Sequence, residues 1–150
     1  MPGEFELEQY FPGLLEAPWR VTSPASLKYN CIAWAAGDST RWWWPHPEDV
    51  GYWPDQVTMQ ETIESFFSLF RFLGFEPCDS ALLELGFEKI ALYAKGSKPT
   101  HAARQLDTGL WTSKLGPLED IEHTLESLES DVYGLVVQVF RRRAGTGTRG

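Results

Sequence analysis

Cysteine is scarce in this chain. Only Cys31 and Cys78 occur among 150 residues, in very different settings, so no disulfide framework is expected and a reducing compartment is the simpler assumption. Long apolar runs are missing too: no stretch reaches the roughly 18 uninterrupted apolar residues of a membrane span, and no membrane association is expected. The first twenty residues mix acids and prolines with scattered aromatics and lack the basic start and apolar segment of a secretory leader, which points to a cytoplasmic location. Positive charge is also short, with 13 Lys and Arg against 21 Asp and Glu and a net charge of −8. Nucleic-acid binding relies on Lys and Arg to neutralise phosphates, so nucleic acid is not an expected partner. No internal repeat is evident. Histidines number three, and Asp120 and His123, three apart, are too few for a closed metal site. Neither a metal nor another cofactor is expected.

What is present suits one packed domain. With 43% hydrophobic residues, segment 1–143 has the material for a core, and 144–150 reads as a disordered tail. A short helix around Cys31 starts either at Ser23-Pro24 or with Asn30 as its cap and is closed by Gly37, with Leu27, Ile32 and Trp34 as apolar anchors. Trp42 to Trp53 holds four of the seven tryptophans, broken by Pro45, Pro47 and Gly51, and reads as an aromatic loop that covers one edge of the Cys31 helix. Thr58 and Glu61 stand in capping-box spacing ahead of a helical stripe, Ile63, Phe66, Phe67, Phe70 and Leu73, which Gly74 stops.

Strands are expected at 89–94, 101–106, 110–115 and 135–140, the first three joined by turn sequences as a meander. Pro117 is read as opening a helix whose stripe is Leu118, Ile121, Leu125 and Leu128. The class is α+β, with N-terminal helices packed on a mostly antiparallel sheet.

A thiol attacks as its thiolate, and a helix start and a nearby imidazolium both favour that form. Cys31 has the helix start, and His101, at the head of the second meander strand, is the candidate base. His46 in the aromatic loop and His123 on the expected helix are less defined, and Cys78 reads as a packed thiol. A hairpin symmetric about Thr108 brings His101 near Leu115 and Ser113 onto the same face, whereas a one-residue slip would present Thr112 or Lys114. Asp107 lies at the far end of the hairpin. Lys114 should point to the opposite face and be solvated or paired.

Cysteine on an early helix followed by histidine on an antiparallel meander resembles the papain-like hydrolases, and among bacterial proteins the NlpC-type cell-wall endopeptidases. The segments YNCIAWAAG, WWWP, GFEKIALYA, THAARQL and WTSKLG resemble, more narrowly, the signature of an uncharacterised bacterial domain family. The resemblance implies a papain-like, NlpC-like fold and a third polar group that orients the histidine, here Ser113. Papain-like peptidases usually place Asn, Asp, His or Gln there, and a hydroxyl adds no negative charge. Asn30, Tyr29 and Trp34 are the candidate oxyanion- or substrate-binding residues, Asn30 being equally a helix cap. The implied function is a cysteine hydrolase or acyltransferase of the peptidase, amidase or deamidase type, acting on a peptide or protein through an acyl-enzyme on Cys31. The alternative is a catalytically weak or inactive interaction module that binds a protein or peptide partner.

Overall fold

Side chains alternate across a strand, and along Ile90-Ala91-Leu92-Tyr93 every one is buried, so this strand must be covered on both faces. Ile90 and Leu92 enter one apolar cluster, and Ala91 and Tyr93 enter another. The computed structural model describes residues 4–45 and 51–144. In chain order the elements are α1 (Glu4–Tyr10), a 3-10 turn (Pro12–Glu16), β1 (Arg20–Ser23), α2 (Cys31–Ala35), α3 (Ile63–Phe72), β2 (Glu76–Cys78), β3 (Phe87–Lys95), β4 (Lys98–Gln105), β5 (Trp111–Lys114), β6 (Asp120–His123), a second 3-10 turn (Leu125–Leu128) and β7 (Leu135–Arg143). The seven strands form one antiparallel sheet in the order β1-β6-β5-β4-β3-β7-β2. The class is α+β.

One face is covered by α2 and α3. Phe66, Leu69 and Phe70, spaced on one stripe of α3, pack with Ile90, Leu92 and Phe140. The other face is covered by α1 and the two 3-10 turns, whose Leu7, Phe11, Leu14, Leu125 and Leu128 meet Tyr93, Trp111 and Ile121. Each such large side chain contributes about 1.5–3 kcal/mol by leaving water. No helix among the described residues is long and apolar enough to cross a membrane.

The four expected strands are present, with β3, β4 and β7 longer than read and β5 shorter; β4 begins at Lys98, so His101 is its fourth residue and not its head. The expected helix after Pro117 is not there. Asp120–His123 is instead strand β6, paired with β1 and β5, and only Leu125–Leu128 is helical, as a 3-10 turn. Ladder partners on both sides satisfy this segment's amides, and tertiary pairing outweighs its helical apolar spacing. Helix α3 starts later than the capping-box reading: Thr62 is its N-cap, accepting from the Ser65 amide at 3.1 Å, while Glu61 accepts from the Trp44 indole. Leu27 is 81% exposed and anchors nothing. Strands β1 and β2, at the two sheet edges, had no counterpart in the sequence reading.

In the aromatic loop Trp43 and Trp53 are buried, and Trp42 and Trp44 are half-buried. Trp43 packs in the same cluster as Cys31, so the loop does cover the α2 edge. His46 lies outside the described residues, as does the expected tail beyond Ala144.

Gly134, at the entry to β7, has φ +76, and a Cβ there would stand 2.0 Å from the Ala94 carbonyl oxygen. Left-handed strain and backbone overlap act together in Gly134→Ala, which should destabilise the fold by about 3 kcal/mol. The urea midpoint measures this, and a loss below about 1 kcal/mol would show that the β3–β7 junction yields.

Candidate functional site

Asn30 sets the start of α2. Its Oδ1 accepts from the amides of Ala33 at 3.2 Å and Trp43 at 3.0 Å, and its Nδ2 donates to the Trp43 carbonyl at 2.8 Å. Of the two starts left open by the sequence, the helix uses this one, so Cys31 is its first residue. The thiol is 5% exposed, and burial pushes its pKa up to about 11 against the opposing pull of the Ala102, Ile32 and Cys31 amides and the Lys114 charge. Cys31 also lines a cavity of about 310 Å³ with Trp42, Trp44, Thr100 and Tyr133 among its walls.

His101 lies opposite Tyr93 in the β3–β4 ladder, beside a bulge at Thr100. Its ring is fully buried, stacked on Tyr133 at 4.0 Å between centroids and edge-on to Tyr93. Strands β4 and β5 pair at Arg104↔Thr112 and Gln105↔Trp111, the register symmetric about Thr108. Pairing stops there, and toward His101 side chains bridge the strands instead. His101 Nε2 lies 2.9 Å from Ser113 Oγ, which lies 2.7 Å from His123 Nε2, and His123 Nδ1 lies 2.6 Å from the Thr124 carbonyl. Desolvation holds both rings neutral: His101 falls well below the ordinary 6.5, helped by nearby His123, and His123 falls to about 4.

Cys31 and His101 share no hydrogen bond, and His101 Nδ1 is buried without a partner. The Ala102 amide near the sulfur nevertheless puts the thiol beside the peptide that follows His101. Tyr133 links the two, lining the Cys31 cavity and stacking on the His101 ring.

Residues 20–141 match the family model described as Domain of unknown function (DUF7689). The chain belongs to the DUF7689 family. No curated protein and no solved structure matches it. The DUF7689 match runs from the first residue of β1 into β7 and includes Cys31, His101, Ser113, His123 and Tyr133.

The remaining sequence candidates of this DUF7689 chain are engaged elsewhere. Tyr29 donates its hydroxyl to Asp120 Oδ2 at 2.8 Å, and the Trp34 indole donates to Thr112 Oγ1 at 3.1 Å. Tyr29 and Trp34 therefore have their donors engaged away from Cys31, whereas Asn30, which gives one N–H to the Trp43 carbonyl, lines the Cys31 cavity. Lys114 does point away from Ser113, and of the two settings expected for it, solvated or paired, solvation is ruled out because it is fully buried with polar partners. Its ammonium donates to the carbonyls of Ser26 and Gly116 and sits 5.0 Å over the Tyr29 ring. Asp120 and His123 share no helix face; three apart on β6, they project to opposite sides of the sheet. Asp107 is exposed in its turn, and Cys78 is half-buried on the edge strand β2.

Sequence reasoning missed Tyr133, which carries no local signal, and misread the setting of His123 because β6 looked helical. A second cavity, of about 450 Å³, lies at the far end of α2 between Trp34, Arg104, Lys89 and Arg142. Of its cations, Lys89 binds Glu84 and two carbonyls, Arg142 binds Glu88 and the Leu73 carbonyl, and Arg104 lies 4.6 Å over the Trp34 ring.

Because the folded state holds His123 near 4 against 6.5 when unfolded, the unfolded chain takes up the proton first. Stability is full above about 6.5 and falls as pH drops from there toward 4, by up to about 3 kcal/mol for this ring, with His101 acting in the same direction. Urea unfolding at pH 7.5 and pH 5 should show the loss, and His123→Gln should reduce the slope. An unchanged slope in that variant would show that His123 is not held neutral by the fold.

Proposed function

We propose that this chain is a cysteine-dependent acyl-transfer enzyme, a hydrolase or acyltransferase of the peptidase, amidase or deamidase type, on a papain-like, NlpC-like scaffold. The observation that carries this reading is the His101 ring: one nitrogen is bound to Ser113, and the other is buried and unpartnered beside the peptide next to Cys31. Leaving a buried acceptor unsatisfied costs about 1–3 kcal/mol, and such exceptions call for a reason beyond packing. A base that must receive a proton supplies one.

With the thiol near 11 and the imidazole neutral, the resting pair is uncharged. Cys31 Sγ attacks a substrate carbonyl as its proton passes to His101 Nδ1; the S–C bond forms and the carbonyl π pair moves onto oxygen. The main-chain amides of Cys31 and Ala102, already near the sulfur, are the donors for that oxyanion. As the tetrahedral intermediate collapses, Nδ1–H protonates the leaving amine, and water or an acceptor amine then releases the acyl group with His101 as base. The cavity residues Trp42, Trp44, Thr100 and Tyr133 are uncharged, which suits a neutral acyl portion of a peptide or protein.

One observation favours the second reading, a weak or inactive interaction module. The thiol has no hydrogen bond to His101, and its pKa is raised where papain-like enzymes need it lowered. Reaction with p-nitrophenyl acetate separates the two. On the enzyme reading, intact mass and peptide mapping find the acetyl group on Cys31 ahead of Cys78, and His101→Ala slows p-nitrophenolate release by about 10²–10⁴-fold. Acetylation confined to Cys78, or a rate indifferent to His101→Ala, would leave the interaction module standing.

A further inference from the structure

The hydrogen-bond chain behind His101 has a direction that its chemistry dictates. A carbonyl only accepts, so the 2.6 Å contact with Thr124 requires the His123 proton to be on Nδ1. The ring is neutral, so its Nε2 carries a lone pair and no proton. Ser113 therefore donates its single hydroxyl hydrogen to His123 Nε2 across 2.7 Å. Having no second hydrogen, Ser113 accepts from His101, and the 2.9 Å contact requires a proton on His101 Nε2. His101 is neutral as well, which makes its buried, unpartnered Nδ1 the lone-pair nitrogen.

We infer that His123 is a positioning residue which, acting through Ser113, holds His101 in the Nε2–H tautomer and so leaves the lone pair on the buried, unpartnered Nδ1. The catalytic meaning of this relay rests on the acyl-transfer reading; the tautomer assignment does not. A carboxylate or an amide oxygen beside His101 would impose the tautomer directly, because it can only accept. A serine hydroxyl cannot, since it donates and accepts alike. Free to rotate, Ser113 could donate to His101 Nε2, move the ring proton to Nδ1 and remove the base. His123, pinned at Thr124, takes the hydroxyl hydrogen and leaves Ser113 only an acceptor toward His101. When His101 takes the thiol proton it becomes imidazolium with Nε2–H still bound to Ser113, so no proton passes to His123.

The test is spectroscopic. In protein labelled with ¹⁵N-histidine, long-range ¹H–¹⁵N correlations at pH 7.5 should report His101 as the Nε2–H tautomer and His123 as the Nδ1–H tautomer. His123→Leu should convert the His101 pattern to a mixture and slow acetylation of Cys31 by about tenfold or more at little changed KM. His123→Gln, whose amide oxygen can accept from Ser113, should restore both. The inference is overturned if His101 in the native protein carries its proton on Nδ1, or if its Nε2–H pattern survives in both Ser113→Ala and His123→Leu. Should the substituted proteins fail to fold, the native spectrum decides alone. The expected tautomers without any acetylation of Cys31 would uphold the relay and remove the acyl-transfer reading.

Discussion

Asn30 commits both lone pairs of its amide oxygen and one N–H to main-chain groups, and the local structure around the candidate site depends on that commitment. The contact to Ala33 starts α2 at Cys31 and not several residues earlier. The two contacts to Trp43 tie the aromatic loop to that start, so the same side chain that locates the thiol also locates a wall of its cavity. An Ala at this position would lose the cap, typically worth about 1 kcal/mol, and would also orphan a buried amide and carbonyl of the loop. Helix start and loop therefore form one unit, which explains how a segment too rich in tryptophan and proline for regular structure still buries Trp43, Pro45 and Trp53.

The second constraint is dryness. His101, Ser113 and His123 are all buried, and among them there is no formal charge. A carboxylate in place of Ser113 would orient His101 more firmly, but it would be an uncompensated buried charge of the kind that costs several kcal/mol. A hydroxyl avoids that cost at the expense of direction, and the Thr124 carbonyl returns direction through His123. The aromatic pair Tyr93 and Tyr133 completes the setting by holding the His101 ring from two sides while lending it no charge.

How far the sequence discloses all this depends on whether the signal is local. The α3 stripe is written in neighbouring residues and could be read, whereas the helix start at Cys31 and the symmetric AspThrGly register were each one of the alternatives the local signals allowed. The proximity of Ser113 to His101 followed from hairpin symmetry, an argument from counting residues. His123 could not be placed that way. Its spacing from Leu118, Ile121, Leu125 and Leu128 mimics a helix, and only the ladders to β1 and β5, the former about a hundred residues away (Arg20↔Glu122), make it a strand. Tyr133 reaches His101 through a chain reversal at Gly134 that no periodicity announces. Edge strands β1 and β2 are short, β1 mostly exposed and β2 half-buried, and so lack the apolar alternation that identifies the interior ones.

Lys114 shows the same division between local pattern and tertiary consequence. Alternation along β5 correctly turns it away from Ser113, yet pattern alone suggests solvent on that side. Instead the segment from Ser26 to Asn30 folds over it, and the ammonium is held by the Ser26 and Gly116 carbonyls, with Asp120 opposite it in the ladder and the Tyr29 ring above. A buried ammonium is tolerable when its donors find acceptors and an anion is near; two of its three donors meet carbonyls, the Tyr29 ring lies over it, and Asp120 is its ladder neighbour. The arrangement joins the β5–β6 turn to the stretch of chain that leads into Asn30. Its charge also bears on Cys31, opposing in part the desolvation that raises the thiol. In a chain of net charge −8, a cation enclosed between the helix start and the sheet is thus both a structural tie and a positive charge acting on the candidate nucleophile.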